Sequence, residues 1–296
     1  MSPLLFYWLY VAGYWACVLL PRGFCYSVAR RIADLYSSRA PADREHVRRN
    51  LTAILGREPS SLEVKEVFRH FAMYLVDFFR FAHLTPKKVR RWIRIEGVEH
   101  MQEALSRGKG AIGLSAHLGN FELAAAVLAL LGFPVSAVVF THQNSRVDAF
   151  FSRQRAGVGV QPIPVRSQNQ RALFETSLSA LRKNGILALV GDRDFFGNGL
   201  ELPFFGKQVK IPRGPAAFSL RTGAPIVPGF LVREKDGSYR FMLEKPIYPP
   251  EGASREESVR RMTEQCVEVM SRYIRRYPTQ WYLFQEFWRT GPVVIR

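Results

Sequence analysis

His117 and Glu122 are the residues whose types and spacing best suit chemistry. They lie in Ser115-Ala-His-Leu-Gly-Asn-Phe-Glu122, directly after the apolar run Gly110-Ala-Ile-Gly-Leu114. An imidazole exchanges protons near neutral pH. A carboxylate beside it can fix its tautomer and steady the charge it acquires. Together they can strip the proton from a hydroxyl so that its oxygen attacks an activated acyl carbon. In a regular helix, residues five apart point about 140° away from each other, so the pair cannot share one helical face. The two meet if His117 sits in a turn and Glu122 in the first turn of the helix that follows. Gly119 and Asn120 are the residue types such a turn requires.

The plain alternatives are a structurally satisfied buried histidine and a half-built metal site. No HExxH pattern or second spaced histidine accompanies His117, so neither a metal nor another cofactor is expected. Ser115 is not a nucleophile elbow, because Gly113-Leu-Ser-Ala-His117 lacks the second glycine of GxSxG. Direct attack without an acyl-enzyme is the expected route. His46, His70, His83, His100 and His142 have no recognisable chemical partner in the sequence.

The elements around this segment predict an α/β fold with a mixed central sheet flanked by helices, preceded by a helical section and an apolar N-terminus. In the first third, Pro41 to Leu55 is a charged amphipathic segment ending at Gly56. Ser60-Ser-Leu-Glu63 has the form of a capping box, and Val64, Val67, Phe68, Phe71, Leu75, Phe78 and Phe79 recur at helical spacing behind it. From Trp92 the pattern alternates. Strands are expected at 92–96, 111–115, 134–140, 160–165, 186–190, 225–233 and 239–243. Helices are expected at 99–107, 121–131, 147–155, 170–182, 214–221 and from Ser254 to about Arg276. Asp236-Gly237 marks a hairpin turn. The division that follows is a membrane anchor over 1–22, a helical section over 23–91 and an α/β core over 92–296.

Composition narrows the partners. An apolar fraction of 47% with 23% charged residues is ordinary for a globular chain and excludes a disordered one. The net charge of +17, from 42 Lys and Arg against 25 acids, is not ordinary. Such a field attracts anionic lipids, acidic carrier proteins or nucleic acid, unless it only solubilises. No nucleic-acid motif is present, and the apolar N-terminus is unnecessary for such a role. Leu4 to Leu20 carries no charge and is rich in Tyr and Trp, which suits a short membrane span, a steeply inserted interfacial helix or a buried core helix. It lacks the basic start and cleavage site of a secretory signal. The arginines that follow it, Arg22, Arg30, Arg31 and Arg39, place the body of the protein on the cytoplasmic side. Cys17, Cys25 and Cys266 form no paired framework, which suits a reducing compartment.

Two further signals are chemical. Asp192-Arg-Asp194, at the end of the strand expected at 186–190, resembles the Asp-x-Asp metal site of glycosyltransferases and makes a metal-dependent membrane glycosyltransferase the alternative reading; a structural ion pair is the plain one. Arg213, before Gly214, could hold a phosphate at a helix N-terminus or be an ordinary surface arginine.

Ser115-Ala-His-Leu-Gly-Asn-Phe-Glu122 resembles the His-x4-Asp/Glu motif of the glycerolipid (lysophospholipid) acyltransferase superfamily. The chain is most similar to the late acyltransferases of lipid A synthesis and the related mannoside acyltransferases. Phe150-Phe-Ser-Arg-Gln-Arg155, Gly191-Asp-Arg-Asp-Phe195 with Leu202-Pro-Phe-Phe-Gly206, Pro212-Arg-Gly-Pro-Ala-Ala217 with Thr222-Gly-Ala-Pro-Ile-Val-Pro228, and Tyr277-Pro-Thr-Gln-Trp-Tyr282 to Trp288 resemble further segments of that family in order. The resemblance implies an inner-membrane enzyme of a bacterium, facing the cytoplasm. It would move a fatty acyl chain from an acyl carrier protein or acyl-CoA thioester to an anionic glycolipid such as a lipid A precursor. It implies His117 as general base, Glu122 as its orienting partner, Arg155 as a positioning cation and Asp192 as a second acid; Arg153 fits the spacing as well as Arg155. Asn120, Asp194 and Arg213 complete the candidate binding residues. The family's lipid A members often carry Tyr-Arg-Pro after the next strand. The corresponding Val139-Phe-Thr-His-Gln-Asn144 has no arginine, which leaves the acceptor open among lipid A precursor, mannoside and other glycolipids.

Overall fold

A computed structural model describes residues 3–141, 144–165 and 170–288; His142 lies outside them. Five helices come first: α1 (Pro3–Leu19), α2 (Arg22–Arg39), α3 (Pro41–Leu55), α4 (Ser61–Phe81) and α5 (Pro86–Trp92). Helix α3 stops at Gly56 in the left-handed conformation, and α4 starts at the capping box, with Ser60 and Glu63 each bonding the other's backbone N–H. The apolar spacing of α4 buries Val64, Val67, Phe68, Phe78 and Phe79 as its periodicity predicts. The basic run after Pro86 is itself helical: Pro86 occupies the first turn, and the Thr85 side chain accepts from Lys88 N–H.

The expected N-terminal membrane helix requires correction as a span. Helix α1 has 17 residues, and among the described residues no helix is long and apolar enough to cross a membrane. One side of α1 is docked on the protein body instead. Tyr10 packs edge-on against Phe79 and Phe151, at ring separations of 6.0 and 5.6 Å, and Tyr14 packs on Phe150 at 5.5 Å. Pro21 then breaks the chain direction before α2.

The rest alternates. Its elements are β1 (Ile93–Glu96), α6 (Val98–Ser106), β2 (Ala111–Ser115), α7 (Phe121–Leu130), β3 (Val135–Phe140), α8 (Ser145–Gly157), β4 (Val160–Val165), α9 (Gln170–Arg182) and β5 (Ile186–Val190). They continue with β6 (Leu200–Phe204), β7 (Lys207–Ile211), α10 (Gly214–Thr222), β8 (Ile226–Arg233), β9 (Tyr239–Leu243), α11 (Arg255–Arg276) and a short 3-10 turn, Pro278–Gln280. Seven strands form one sheet in the order β1-β9-β8-β2-β5-β3-β4. All neighbours are parallel except β8 and β9, which form the antiparallel hairpin around Asp236-Gly237. The expected mixed sheet is therefore present. Strand β2 lies near its middle, and Ile112, Leu114, Ile186, Leu187, Ile226 and Val227 are all nearly inaccessible, as strands covered on both faces require.

A second, two-stranded sheet pairs β6 with β7 through a turn at Phe205-Gly206, both with positive φ. Phe204 of this hairpin is fully buried and lies against Trp281 and Phe287, at ring separations of 6.2 and 5.5 Å. The hairpin thus backs the C-terminal aromatic segment, which in turn walls the site.

Candidate active site

The parallel pairing of β2 with β5 sets Ser115 opposite Val190. Two residues beyond each lie His117 and Asp192, so a shared register delivers both to the carboxyl end of adjacent central strands. That end is where ligands bind in open α/β sheets. His117 Nδ1 is 2.7 Å from Asp192 Oδ1, and His117 N–H donates to Asp192 Oδ2 at 3.1 Å. Trp281 Nε1–H donates to the same Oδ2 at 2.8 Å. Asp192 has no exposed surface, whereas a fifth of the His117 side chain remains open.

The turn between base and helix is clamped from two sides. Gly119 has φ +63, and a Cβ there would sit 2.1 Å from Leu231 O of β8, so only glycine fits. Gly119 N–H donates to Gln280 O, Asn120 N–H to Leu231 O and Tyr282 N–H to His117 O, all at 2.7–2.8 Å. Asn120 caps α7 by accepting from Leu123 N–H at 3.0 Å. It is 1% exposed, so its assignment to substrate binding is corrected to a structural cap.

Glu122 does lie in the first turn of α7, but its carboxylate faces Arg155. The two form a bidentate ion pair, with Nε to Oε2 at 2.9 Å and Nη2 to Oε1 at 2.6 Å, both side chains largely buried. The carboxylate that meets the imidazole is instead Asp192, 75 residues beyond His117 in the chain. Glu122 and Arg155 instead tie α7 to α8 beside the imidazole. Arg153 is exposed whereas Arg155 is buried, which separates two arginines that spacing leaves equivalent. Removing one member of such a pair strands a buried charge. Glu122→Ala is thus expected to cost about 3–5 kcal/mol in urea unfolding, and Glu122→Leu with Arg155→Met to recover most of that loss. Equal stabilities for the single and double variants would contradict this role.

Asp194 does not join Asp192. It accepts from Phe196 N–H at 3.1 Å and Gly199 N–H at 2.7 Å, folding the loop that leads into β6. With Asp192 held by His117 and Trp281, the pair does not present a metal site. Among the described residues, no group of three or more His, Cys, Asp or Glu could hold a metal. Arg213 is exposed and donates to Asn198 O at 2.8 Å, bracing the same loop. The residues that sequence reasoning left unassigned are Trp281, Gln280, Tyr282 and Arg193. Arg193 Nη2–H donates to Tyr282 O at 2.6 Å.

The electrostatics suit a base. Burial would raise the Asp192 carboxyl, but His117, Arg193 and the Trp281 N–H outweigh it and hold the group ionised, well below the usual carboxylate range. An ionised carboxylate only accepts. His117 Nδ1 therefore carries the proton, leaving a lone pair on Nε2. Burial, aided by Arg193, pushes the imidazole below its ordinary 6.5 despite the pull of Asp192 and Glu122. A base works when deprotonated, so activity should hold at neutral pH and fall on acidification through that lowered value. The acid limb of log(kcat/KM) against pH is expected to break below 6.5; a break above it would contradict the assignment.

The family model described as bacterial lipid A biosynthesis acyltransferase matches residues 2–290. Phosphatidylinositol mannoside acyltransferase of Mycobacterium tuberculosis (strain ATCC 25618 / H37Rv) is 27% identical over 286 residues, covering 95% of this chain and 88% of that protein. Lipid A biosynthesis palmitoleoyltransferase of Escherichia coli (strain K12) is 24% identical over 296 residues, covering 97% and 93%. Among solved structures, the 1-acyl-sn-glycerophosphate (LPA) acyltransferase PlsC from Thermotoga maritima aligns with a TM-score of 0.41 and 12% identity, covering 83% of this chain and 97% of that one.

Proposed function

The chain belongs to the bacterial lipid A biosynthesis acyltransferase family, and on that premise we propose that it moves a fatty acyl chain from a thioester to a hydroxyl of a lipid A precursor, a mannoside or a related glycolipid, with His117 as general base. The observation that carries this reading is the partly open imidazole, a fifth of its side chain exposed, held at 2.7 Å by a fully buried aspartate. The acceptor hydroxyl lies against Nε2 and gives up its proton there as its oxygen bonds to the thioester carbonyl carbon. The tetrahedral intermediate then expels the thiolate, and the imidazolium returns the proton to the departing sulfur. Asp192 keeps Nδ1–H in place and balances the transient positive charge without taking the proton itself. No acyl-enzyme is formed.

The net charge of +17 suits an acidic acyl carrier protein as donor and an anionic acceptor; acyl-CoA, itself anionic, fits the same field. The reaction takes place at the cytoplasmic face of a bacterial inner membrane, where both acceptor and product reside. The test supplies purified protein with labelled acyl carrier protein or acyl-CoA and candidate glycolipids, and identifies products by mass spectrometry. A glycolipid heavier by one acyl ester is expected. Thioester hydrolysis alone, or sugar transfer from a nucleotide donor that chelation stops, would overturn the reading.

A further inference from the structure

The unexplained chemistry lies at the elbow between α1 and α2, where a cavity of about 280 Å³ is lined by groups the acyl-transfer site does not use. Val18, Leu84 and Leu123 give it apolar walls, and Arg22, Arg80 and Lys88 give it cations. The carboxylate in its lining, Asp77, is already matched: it pairs with Arg22 at 3.2 Å and with Arg233, and Tyr26 donates to it at 2.6 Å. The lining therefore keeps an excess of positive charge. Arg80 is tethered by Nη1 to the carbonyls of Cys17 and Leu20, and Lys88 Nζ bonds His83 O at 3.0 Å. Lys87, Arg90 and Arg91 extend the basic field on the exposed side of α5.

The surface next to this cavity is apolar in a way that one soluble face does not need. Helix α2 buries Cys25, Ala29, Ala33 and Ser37. On its outer side Phe24, Val28, Ile32 and Leu35 are 55, 38, 60 and 55% exposed, at the i, i+4, i+8, i+11 spacing of a single helical face. Trp8, Trp15 and Leu19 of α1 and Leu20 just after it are exposed apolar residues as well. Val18 and Arg22, which line the cavity, bracket the exposed Leu19 and Leu20 in sequence. Exposed apolar residues along one helical face beside basic residues are the signature of a helix lying in a membrane interface.

We propose that the α1–α2 elbow is a binding site for one anionic phospholipid, its phosphodiester taken by Arg22, Arg80 and Lys88 and its chains lying along the exposed apolar face of α1 and α2. This lipid is neither donor nor acceptor; it seats the protein on the membrane. The site is read by binding alone, so its failure leaves the acyl-transfer reading untouched, and failure of that reading leaves this one standing.

The test uses the full chain. A short-chain phosphatidylglycerol, soluble as a monomer, is titrated calorimetrically beside inorganic phosphate and the matching phosphatidylcholine. Sedimentation with phosphatidylcholine vesicles, with and without phosphatidylglycerol, extends it to bilayers. One phosphatidylglycerol should bind per chain, with phosphate at least about tenfold weaker because all chain contact is missing, and phosphatidylcholine at least about tenfold weaker because its choline cation offsets the phosphodiester and meets the basic lining. Val18→Trp fills the cavity without changing charge and should abolish binding. Leu84→Trp does so from the opposite wall, should α1 not tolerate the first change. Lys88→Gln should weaken binding roughly fivefold, the worth of one basic residue near an anionic surface, whereas Arg260→Gln on the exposed side of α11 should not. Phosphate binding as tightly as the lipid would assign a free-anion site, and equal binding of phosphatidylcholine would remove the anion recognition. Wild-type binding in both tryptophan variants would place the lipid elsewhere. Any of the three overturns the proposal.

Discussion

Asp192→Asn should lower kcat for acyl transfer by up to about 10⁴-fold, the loss seen when a catalytic histidine is held in the wrong tautomer, with little change in fold. The direction follows from the hydrogen bonds. Oδ2 of Asp192 accepts from two N–H donors, His117 N and Trp281 Nε1. In the amide, the oxygen must keep that position, because an NH2 there would face two donors. The NH2 group is then placed where Oδ1 stood, against His117 Nδ1 at 2.7 Å. It donates to Nδ1, so the imidazole proton moves to Nε2, and the lone pair that should receive the acceptor's proton is gone. Steady-state kinetics with a melting curve decides the matter. Near wild-type turnover in a folded variant would remove Asp192 from the mechanism.

His117→Ala removes the base itself and should cost about 10²–10⁴-fold in kcat. Substrate affinity should change much less, since the imidazole is engaged as the proton moves. The backbone N–H of residue 117 and Trp281 still bond Asp192, so the turn should survive. The His117→Ala, Asp192→Asn double variant should be scarcely worse than either single one, because the two residues act as a unit. Additive losses would mean that Asp192 acts on something other than the imidazole. Glu122→Ala, by contrast, should show itself first as lost stability.

Much of this was legible in residue order. The alternation from residue 92 located the seven strands of the main sheet, because most of them are short, largely apolar segments set between helical patterns. His117 at the strand-to-helix turn was legible for the same reason, as was Glu122 in the first helical turn. The identity of the imidazole's partner was not. Glu122 is near in sequence, but Asp192 is near in space through the β2–β5 register, Ser115 opposite Val190, and strand adjacency is not written in a strand's own residues. The β6–β7 hairpin was hidden by Pro203 within a strand, which ordinarily argues against one, and by Phe205 at positive φ, where Asn or Gly is the usual signal. The role of Trp281 was hidden by distance: its Nε1–H meets Asp192 across 89 residues. The expectation of a span misled because apolar content alone does not separate a span from a helix whose tyrosines dock on Phe79, Phe150 and Phe151.

The decisive measurement is the nitrogen-15 chemical shifts of the His117 imidazole at neutral pH, assigned by difference against His117→Ala. Ionised Asp192 as its holder predicts a neutral ring protonated on Nδ1 with a bare Nε2, unchanged in shift pattern by Glu122→Gln and reversed in Asp192→Asn. A ring protonated on Nε2 in the wild type, or a tautomer that follows Glu122 rather than Asp192, would contradict it.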